Sequence, residues 1–322
     1  MVSKKLNKGK NDMQLTKIKP LQPTLQEVFD EFMAFKEATQ LSPKTLRDYY
    51  LHCNAFIYES HNSLDEQLLK ADILKYFSAI PPTSPARFNH PYQYLSTFFN
   101  WCVEQEILSK NPFTALGIKK KKDDGNVKPA SIEDIKTLLN SWDKTFYTGL
   151  RNYNITLLLI DTGIRTSELV QLRHKDFDKD SRQIIITKNI SKSRRQRMVY
   201  LSQQTANSIN QFIKVKPEEW EDWLFPSREG NQLNTHNLAR EFNNACKKLG
   251  IKITPYQLRH TFATYFIENG GDVFTLQDLM GHSELRSTRR YTEINSVQKR
   301  KAHEAFSPLN EFKPTKRATK IK

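Results

Sequence analysis

The chain has only three cysteines in 322 residues, at positions 53, 102 and 246. They are too far apart to suggest a disulfide framework, and none forms the C-x-x-C pair that opens a structural zinc site. Such cysteine usage suits a reducing compartment, so a cytoplasmic location is expected. No apolar run reaches the about 18 residues of a membrane span, so no membrane partner is expected. The lysine-rich start is not followed by an apolar stretch of signal-peptide type. No carboxylate cluster of the sort Mg²⁺ needs stands out, so neither a metal nor another cofactor is expected. No internal repeat is evident. Acidic charge is also in deficit: 35 Asp and Glu against 50 Lys and Arg, for a net charge of +15. That excess favours a polyanionic partner, most simply nucleic acid.

At 322 residues the chain is long enough for two domains with separate cores, and its 38% hydrophobic content fits a globular protein. Residues 1–22 hold six lysines and few large apolar groups, and read as a basic flexible arm. Thr24 and Glu27 have capping-box spacing, and Leu25, Val28, Phe29 and Phe32 follow at helical period. Ser42-Pro43 opens a second helix with Leu46, Tyr49, Cys53, Phe56 and Ile57 inward. A third is expected over 72–80 and a fourth over 91–106, with Asn111-Pro112 closing the unit. Lys119, Lys120, Lys121 and Lys122 followed by Asp123-Asp124-Gly125 mark a basic linker, whose lysines would touch phosphates without reading bases.

Beyond the linker, Ser131 caps a helix, and another spans about 150–161. Two β-like runs, 183–187 and 197–201, flank a polar turn and read as a hairpin. Further helices are expected over 203–214, 235–249, 256–268, 273–280 and 285–292. A weakly amphipathic segment (Ile294, Val297, Ala302, Phe306) is expected to dock on a neighbouring subunit, and 309–322 form a second basic tail.

Several polar breaks between these apolar segments carry groups suited to phosphate chemistry. Arg165, Arg259 and His282 offer donors to phosphate oxygens, and a guanidinium presents them in a planar fork with permanent charge. A tyrosine is a weak nucleophile near neutral pH, but it can attack phosphorus where cations stabilise the phenolate and the transition state. Tyr291 stands nine positions after His282. Lys192, in the hairpin turn, could protonate a leaving hydroxyl. Each residue alone is weak evidence; the signal lies in their order and spacing.

That order resembles the tyrosine recombinase family, also called phage integrases, which includes the Xer-type recombinases. Gly163-Ile164-Arg165-Thr166-Ser167-Glu168-Leu169 resembles the family's first arginine box, with Arg165 on the scissile phosphate and Glu168 supporting it. Ser191-Lys192-Ser193 before Arg197-Met198-Val199-Tyr200-Leu201 resembles the hairpin lysine box. Counting back from Val199–Leu201 puts Lys192, not Lys188, in the general-acid position. Leu258-Arg259-His260 resembles the second arginine box, Leu279-Met280-Gly281-His282-Ser283 the third, and Tyr291 falls on the nucleophile. One departure is Tyr256, which stands where the family usually has histidine. Its phenol could hydrogen-bond a phosphate oxygen but would not exchange protons readily near neutral pH, so Tyr256 reads as a supporting residue.

The resemblance implies a mostly α fold with a small antiparallel sheet (α+β). A helical core DNA-binding domain would occupy 23–116, a basic linker 117–129 and a catalytic domain 130–308. It implies a site-specific recombinase that cleaves and rejoins double-stranded DNA through a 3′-phosphotyrosyl link without metal or ATP. A homotetramer on two DNA sites is expected, with an accessory DNA-bending or directionality factor as a further candidate partner. Integration or excision of a mobile element is the leading role. The alternatives are a Xer-like dimer resolvase, a type IB topoisomerase-like enzyme, and a non-catalytic DNA-binding protein that kept the fold.

Overall fold

The structure is a computed structural model and describes residues 23–122, 128–282 and 288. The basic arm, the 285–292 helix (Thr288 apart), the 293–308 segment and the basic tail lie outside the described residues, as does Tyr291. The chain forms two compact units that divide between Gly125 and Asn126. The architecture is mostly helical, with one small antiparallel sheet.

The first unit packs five helices: α1 (Leu25–Ala38), α2 (Pro43–Glu59), α3 (Glu66–Ala79), α4 (Pro85–Glu104) and α5 (Pro112–Leu116). Thr24 and Glu27 complete a reciprocal capping box, and Ser42 caps α2 with Pro43 at its first turn. Aromatic rings fill the core; Phe29 meets Phe98 edge-on with ring centres 5.5 Å apart, and Phe77 meets Phe113 at 5.3 Å.

Two helix starts differ from the sequence expectation. Helix α3 begins at Glu66, because Asp65 accepts hydrogen bonds from the Gln67 and Leu68 amides. Asp72, the expected start, is instead buried in mid-helix, where His61 meets both its carboxylate oxygens at 2.7 and 2.9 Å. Helix α4 begins at Pro85 under a Ser84 cap and runs through Pro91. An internal proline forfeits a backbone hydrogen bond. Burial of Phe88, Pro91 and Leu95 on one face offsets that loss.

The lysine run does not begin as free linker. The Lys121 backbone exchanges two 2.9 Å hydrogen bonds with the Asn89 side chain. The Lys121 ammonium lies 4.5 Å from the centre of the Phe88 ring. Lys120 reaches Gln93 at 3.0 Å, and the Tyr92 hydroxyl donates to the Ile118 carbonyl. Residues 118–122 are therefore held along α4.

The second unit contains α6 (Ile132–Ser141), α7 (Tyr147–Thr162), the short α8 (Thr166–Leu169), strands β1 (Phe177–Asp178), β2 (Gln183–Ile186) and β3 (Arg197–Tyr200), then α9 (Gln203–Lys214), α10 (Thr235–Leu249), α11 (Pro255–Glu268) and α12 (Val273–Met280). The strands pair antiparallel in the order β1-β2-β3, with Ile184 opposite Val199 and Ile186 opposite Arg197. The hairpin was legible in the sequence, whereas the two-residue β1 is too short to show a period. Helix α7 is buried on most sides, Arg151, Asn152 and Asn154 included, and contributes Ile155, Leu158 and Leu159 to the core beside Phe212, Phe242 and Leu258.

Helix α7 ends at Gly163, whose φ of +61° places it in the left-handed region. A Cβ there would lie 2.4 Å from the Phe262 ring. Gly163→Ala is therefore expected to destabilise the protein by about 1–3 kcal/mol from overpacking, with backbone strain adding to it. A urea titration would check this, and an unchanged midpoint would refute it.

Candidate active site

Two elements of the second unit, α8 and β3, meet at one buried carboxylate. Helix α8 starts directly after the Gly163 turn, placing Arg165 at its N-cap and Glu168 one turn on. The Glu168 side chain is fully buried. Arg165 Nη1 donates to Glu168 Oε1 at 3.0 Å. Arg197, at the start of β3, donates to both carboxylate oxygens, at 3.1 Å to Oε1 and 2.6 Å to Oε2. Burial alone would raise the Glu168 carboxyl pKa. Hydrogen bonds and charge from Arg197 and Arg165 outweigh it, so the group is held below the ordinary carboxylate range.

The end of α12 closes the other side. Gly281, at φ +64°, turns the chain out of the helix and exposes the last carbonyls. Arg165 Nη2 donates to the Gly281 carbonyl at 2.7 Å, Arg197 Nε to Leu279 at 3.1 Å and Arg259 Nη2 to Met280 at 2.9 Å. Arg259, buried on α11, also donates to the Gly163 carbonyl. One set of carbonyls at two helix ends thus orients three guanidiniums. Together these carry +3 against the −1 of Glu168, so among the described residues the hydrogen-bonded cluster has an excess of +2. Carbonyl dipoles offset part of this, but a cationic surplus on partly to fully buried side chains is what an anion site requires.

His282 follows Gly281. Its Nε2 lies 3.0 Å from Arg259 Nη2 and its Nδ1 lies 2.8 Å from Thr288 Oγ1. A guanidinium only donates, so Nε2 accepts and the ring proton sits on Nδ1, facing the threonine. In this state His282 turns a lone pair, not an N–H, toward Arg259. Donating to a phosphate from Nε2 would require protonation or a change of tautomer.

Arg165, Glu168, Arg259 and His282 are thus brought together. Lys192 is exposed on the turn joining β2 to β3, and no hydrogen bond or ion pair links it to this cluster among the described residues. Tyr256 is half exposed in the first turn of α11, three positions before Arg259. Lys119 to Lys122 belong to the other unit. Among the described residues no group of three or more His, Cys, Asp or Glu is placed to hold a metal ion. The residues missed by sequence reasoning are Arg197 and Thr288. Arg197 carried a readable signal: it alternates in phase with inward-facing Val199, and a charge on that face needs a buried partner.

A model of the phage integrase family matches residues 131–297. The chain is 30% identical over 221 residues to the tyrosine recombinase XerC of Chlamydia caviae, covering 66% of this chain and 69% of that one. It is 26% identical to XerD of Listeria innocua, covering 88% and 99%. Among solved structures, the Tn1549 transposon integrase in complex with a circular intermediate DNA superposes with a TM-score of 0.72 at 19% identity, covering 88% and 99%. A lambda integrase tetramer bound to a Holliday junction gives 0.67 at 17%, covering 88% and 85%.

Proposed function

The chain belongs to the phage integrase family of site-specific tyrosine recombinases, enzymes that cleave and rejoin DNA, and we propose that it does so through a 3′-phosphotyrosyl intermediate formed by Tyr291. The observation that carries this reading is the cluster around buried Glu168 in which, among the described residues, Arg165, Arg197 and Arg259 outnumber that carboxylate. In the proposed reaction Arg165 and Arg259 hold the non-bridging oxygens of the scissile phosphate, with His282 beside them. The Tyr291 phenol gives up its proton to water as its oxygen bonds to phosphorus, the bond to the 5′ oxygen breaks, and Lys192 gives that leaving oxygen a proton. A partner strand's 5′-hydroxyl then attacks the phosphotyrosine, its proton returning to Lys192, and the tyrosine leaves and is reprotonated from water. One phosphodiester is exchanged for another, so the chemistry requires neither ATP nor metal. Tyr256 supports the phosphate from the first turn of α11.

In the same reading, residues 23–116 form the core DNA-binding domain, 117–129 the linker and 130–308 the catalytic domain, with basic arms at 1–22 and 309–322. Lys119, Lys120, Lys121 and Lys122 lie along DNA phosphates. Four copies act on two duplexes, in the cytoplasm, and an accessory DNA-bending or directionality factor assists. The lambda integrase tetramer supports that stoichiometry by fold analogy. We place the protein in integration or excision of a mobile element. Its likeness to XerC and XerD favours dimer resolution as the second role.

The test is incubation, without Mg²⁺ or ATP, with supercoiled DNA carrying both flanks of the protein's own gene. The expected products are a denaturant-resistant protein–DNA adduct and molecules joined between two sites. Relaxation without joining would instead assign a topoisomerase. Absence of adduct, relaxation and joining would count against the catalytic reading.

A further inference from the structure

We infer that Arg197 is a positioning residue for DNA cleavage: by occupying Glu168, it prevents Arg165 from closing on that carboxylate and keeps Arg165 available to the phosphate. The inference rests on the reading that Arg165 binds the scissile phosphate.

The geometry around Glu168 supports it. A carboxylate offers about four lone-pair directions. Four donors meet this one: Arg165 Nη1 and Arg197 Nη1 on Oε1 at 3.0 and 3.1 Å, then Arg197 Nη2 and the Arg165 backbone N–H on Oε2 at 2.6 and 3.3 Å. Arg197 makes the two-pronged contact, the strongest geometry available to this pair of groups. Arg165 is left with one side-chain contact, and its Nη2 is free to reach the Gly281 carbonyl beside His282. The Arg165 guanidinium is thus stretched between Glu168 and the turn carrying His282.

Removing Arg197 would leave Oε2 without a side-chain donor, in a site where Glu168 has no exposure to water. Such a buried carboxylate seeks another donor, and Arg165 is already hydrogen-bonded to it. A two-pronged Arg165–Glu168 pair would satisfy the carboxylate and draw Nη2 away from Gly281.

Arg197 also reaches past Glu168. Its Nε holds the Leu279 carbonyl, and a Cβ on Gly281 would lie 2.8 Å from its guanidinium carbon. The guanidinium therefore packs flat against the turn that presents His282. Its place on β3, opposite Ile186 and in phase with buried Val199, fixes it on the inner face of the sheet. A solvent-facing strand arginine would have none of these contacts.

Two measurements on Arg197→Met, which keeps most of the length and removes the charge, test the inference. In a crystal structure of the variant, Arg165 is expected to pair with both oxygens of Glu168 and to release the Gly281 carbonyl. Retention of the single contact and of the Gly281 bond would overturn the inference. If the methionine variant does not fold, Arg197→Lys, whose ammonium cannot make the two-pronged contact, takes the measurement, with Arg165 expected to move onto the carboxylate oxygen it vacates.

The second measurement is single-turnover cleavage of duplexes carrying the protein's mapped cleavage site, with either an ordinary phosphate or a neutral methylphosphonate at the cleaved bond. Arg197→Met is expected to lose on the order of 10²-fold on the phosphate, the scale of one misplaced transition-state donor. Its loss on the methylphosphonate, which lacks the charged oxygen that Arg165 would hold, is expected to be several-fold smaller. Equal losses on both substrates would mark a general loosening of the site and overturn the inference. If the unaltered protein yields no cleavage site to map, the catalytic reading is overturned instead, and the crystal structure of the variant still decides whether Arg197 holds Arg165 off Glu168.

Discussion

Tyr291→Phe is expected to abolish the denaturant-resistant protein–DNA adduct, with cleavage falling on the order of 10⁴-fold or more, as when a nucleophile is deleted from an otherwise intact site. The substitution removes one hydroxyl, so DNA affinity should change by less than about tenfold, the equivalent of one hydrogen bond. Folding stability should move little. The diagnostic pattern is intact binding with no covalent capture. A denaturing gel of protein mixed with end-labelled duplex reads the adduct, and a mobility-shift titration on the same preparation reads affinity. If the adduct persists in the variant, another tyrosine is the nucleophile. Tyr256 would be the next to replace, because it is half exposed and one helical turn from Arg259.

Glu168→Gln is expected to cost about 3–5 kcal/mol of folding stability at neutral pH, the usual result of removing one partner from a buried ion pair. The amide is nearly isosteric with the carboxylate. Its NH₂ group, however, would face a guanidinium, donor against donor, and Arg165 and Arg197 would lose their shared counter-charge. The pH dependence follows from the direction of the Glu168 shift. Its folded-state pKa lies below the ordinary carboxylate value. The ionised pair therefore contributes its full stability above about pH 4.3, the unfolded value. That contribution fades as pH falls through the lower folded value. Wild type and variant should thus differ most near pH 7 and converge in acid. Urea titrations at three pH values would show this, and a difference that does not shrink with acidity would exclude the ion pair as its source. Cleavage should fall as well, because Arg165 loses the group that orients it.

These expectations draw on different kinds of information. Tyr291 was singled out by its distance from His282 along the chain. Glu168 was placed by resemblance, as a supporting residue, but the number of its partners was not visible there. Arg197 appears in the sequence only as part of a β-like run and of the hairpin lysine box, with no role of its own, although its inward phase is written in the alternation Arg197, Met198, Val199, Tyr200. Its partner lies 29 residues away, and its second contact, the Leu279 carbonyl, lies 82 away. No local pattern encodes such a meeting. The early starts of α3 and α4 were missed for a related reason. Asp72 and Pro91 look like helix-start residues, yet each is buried inside a helix by contacts from elsewhere.

By itself the sequence determined what depends on neighbours along the chain. This covers the caps at Thr24, Ser42 and Ser131, the hairpin, the basic charge, and the order of residues that identifies the family. Tertiary structure decided what depends on closure. Folding α7, α8, α11, α12 and β3 together buries one carboxylate fully and three guanidiniums in large part, and leaves them to satisfy one another and the carbonyls at two helix ends. The physical reason is that burial makes every polar partner obligatory. Which partner is at hand depends on packing between distant segments, and spacing along the chain does not record it.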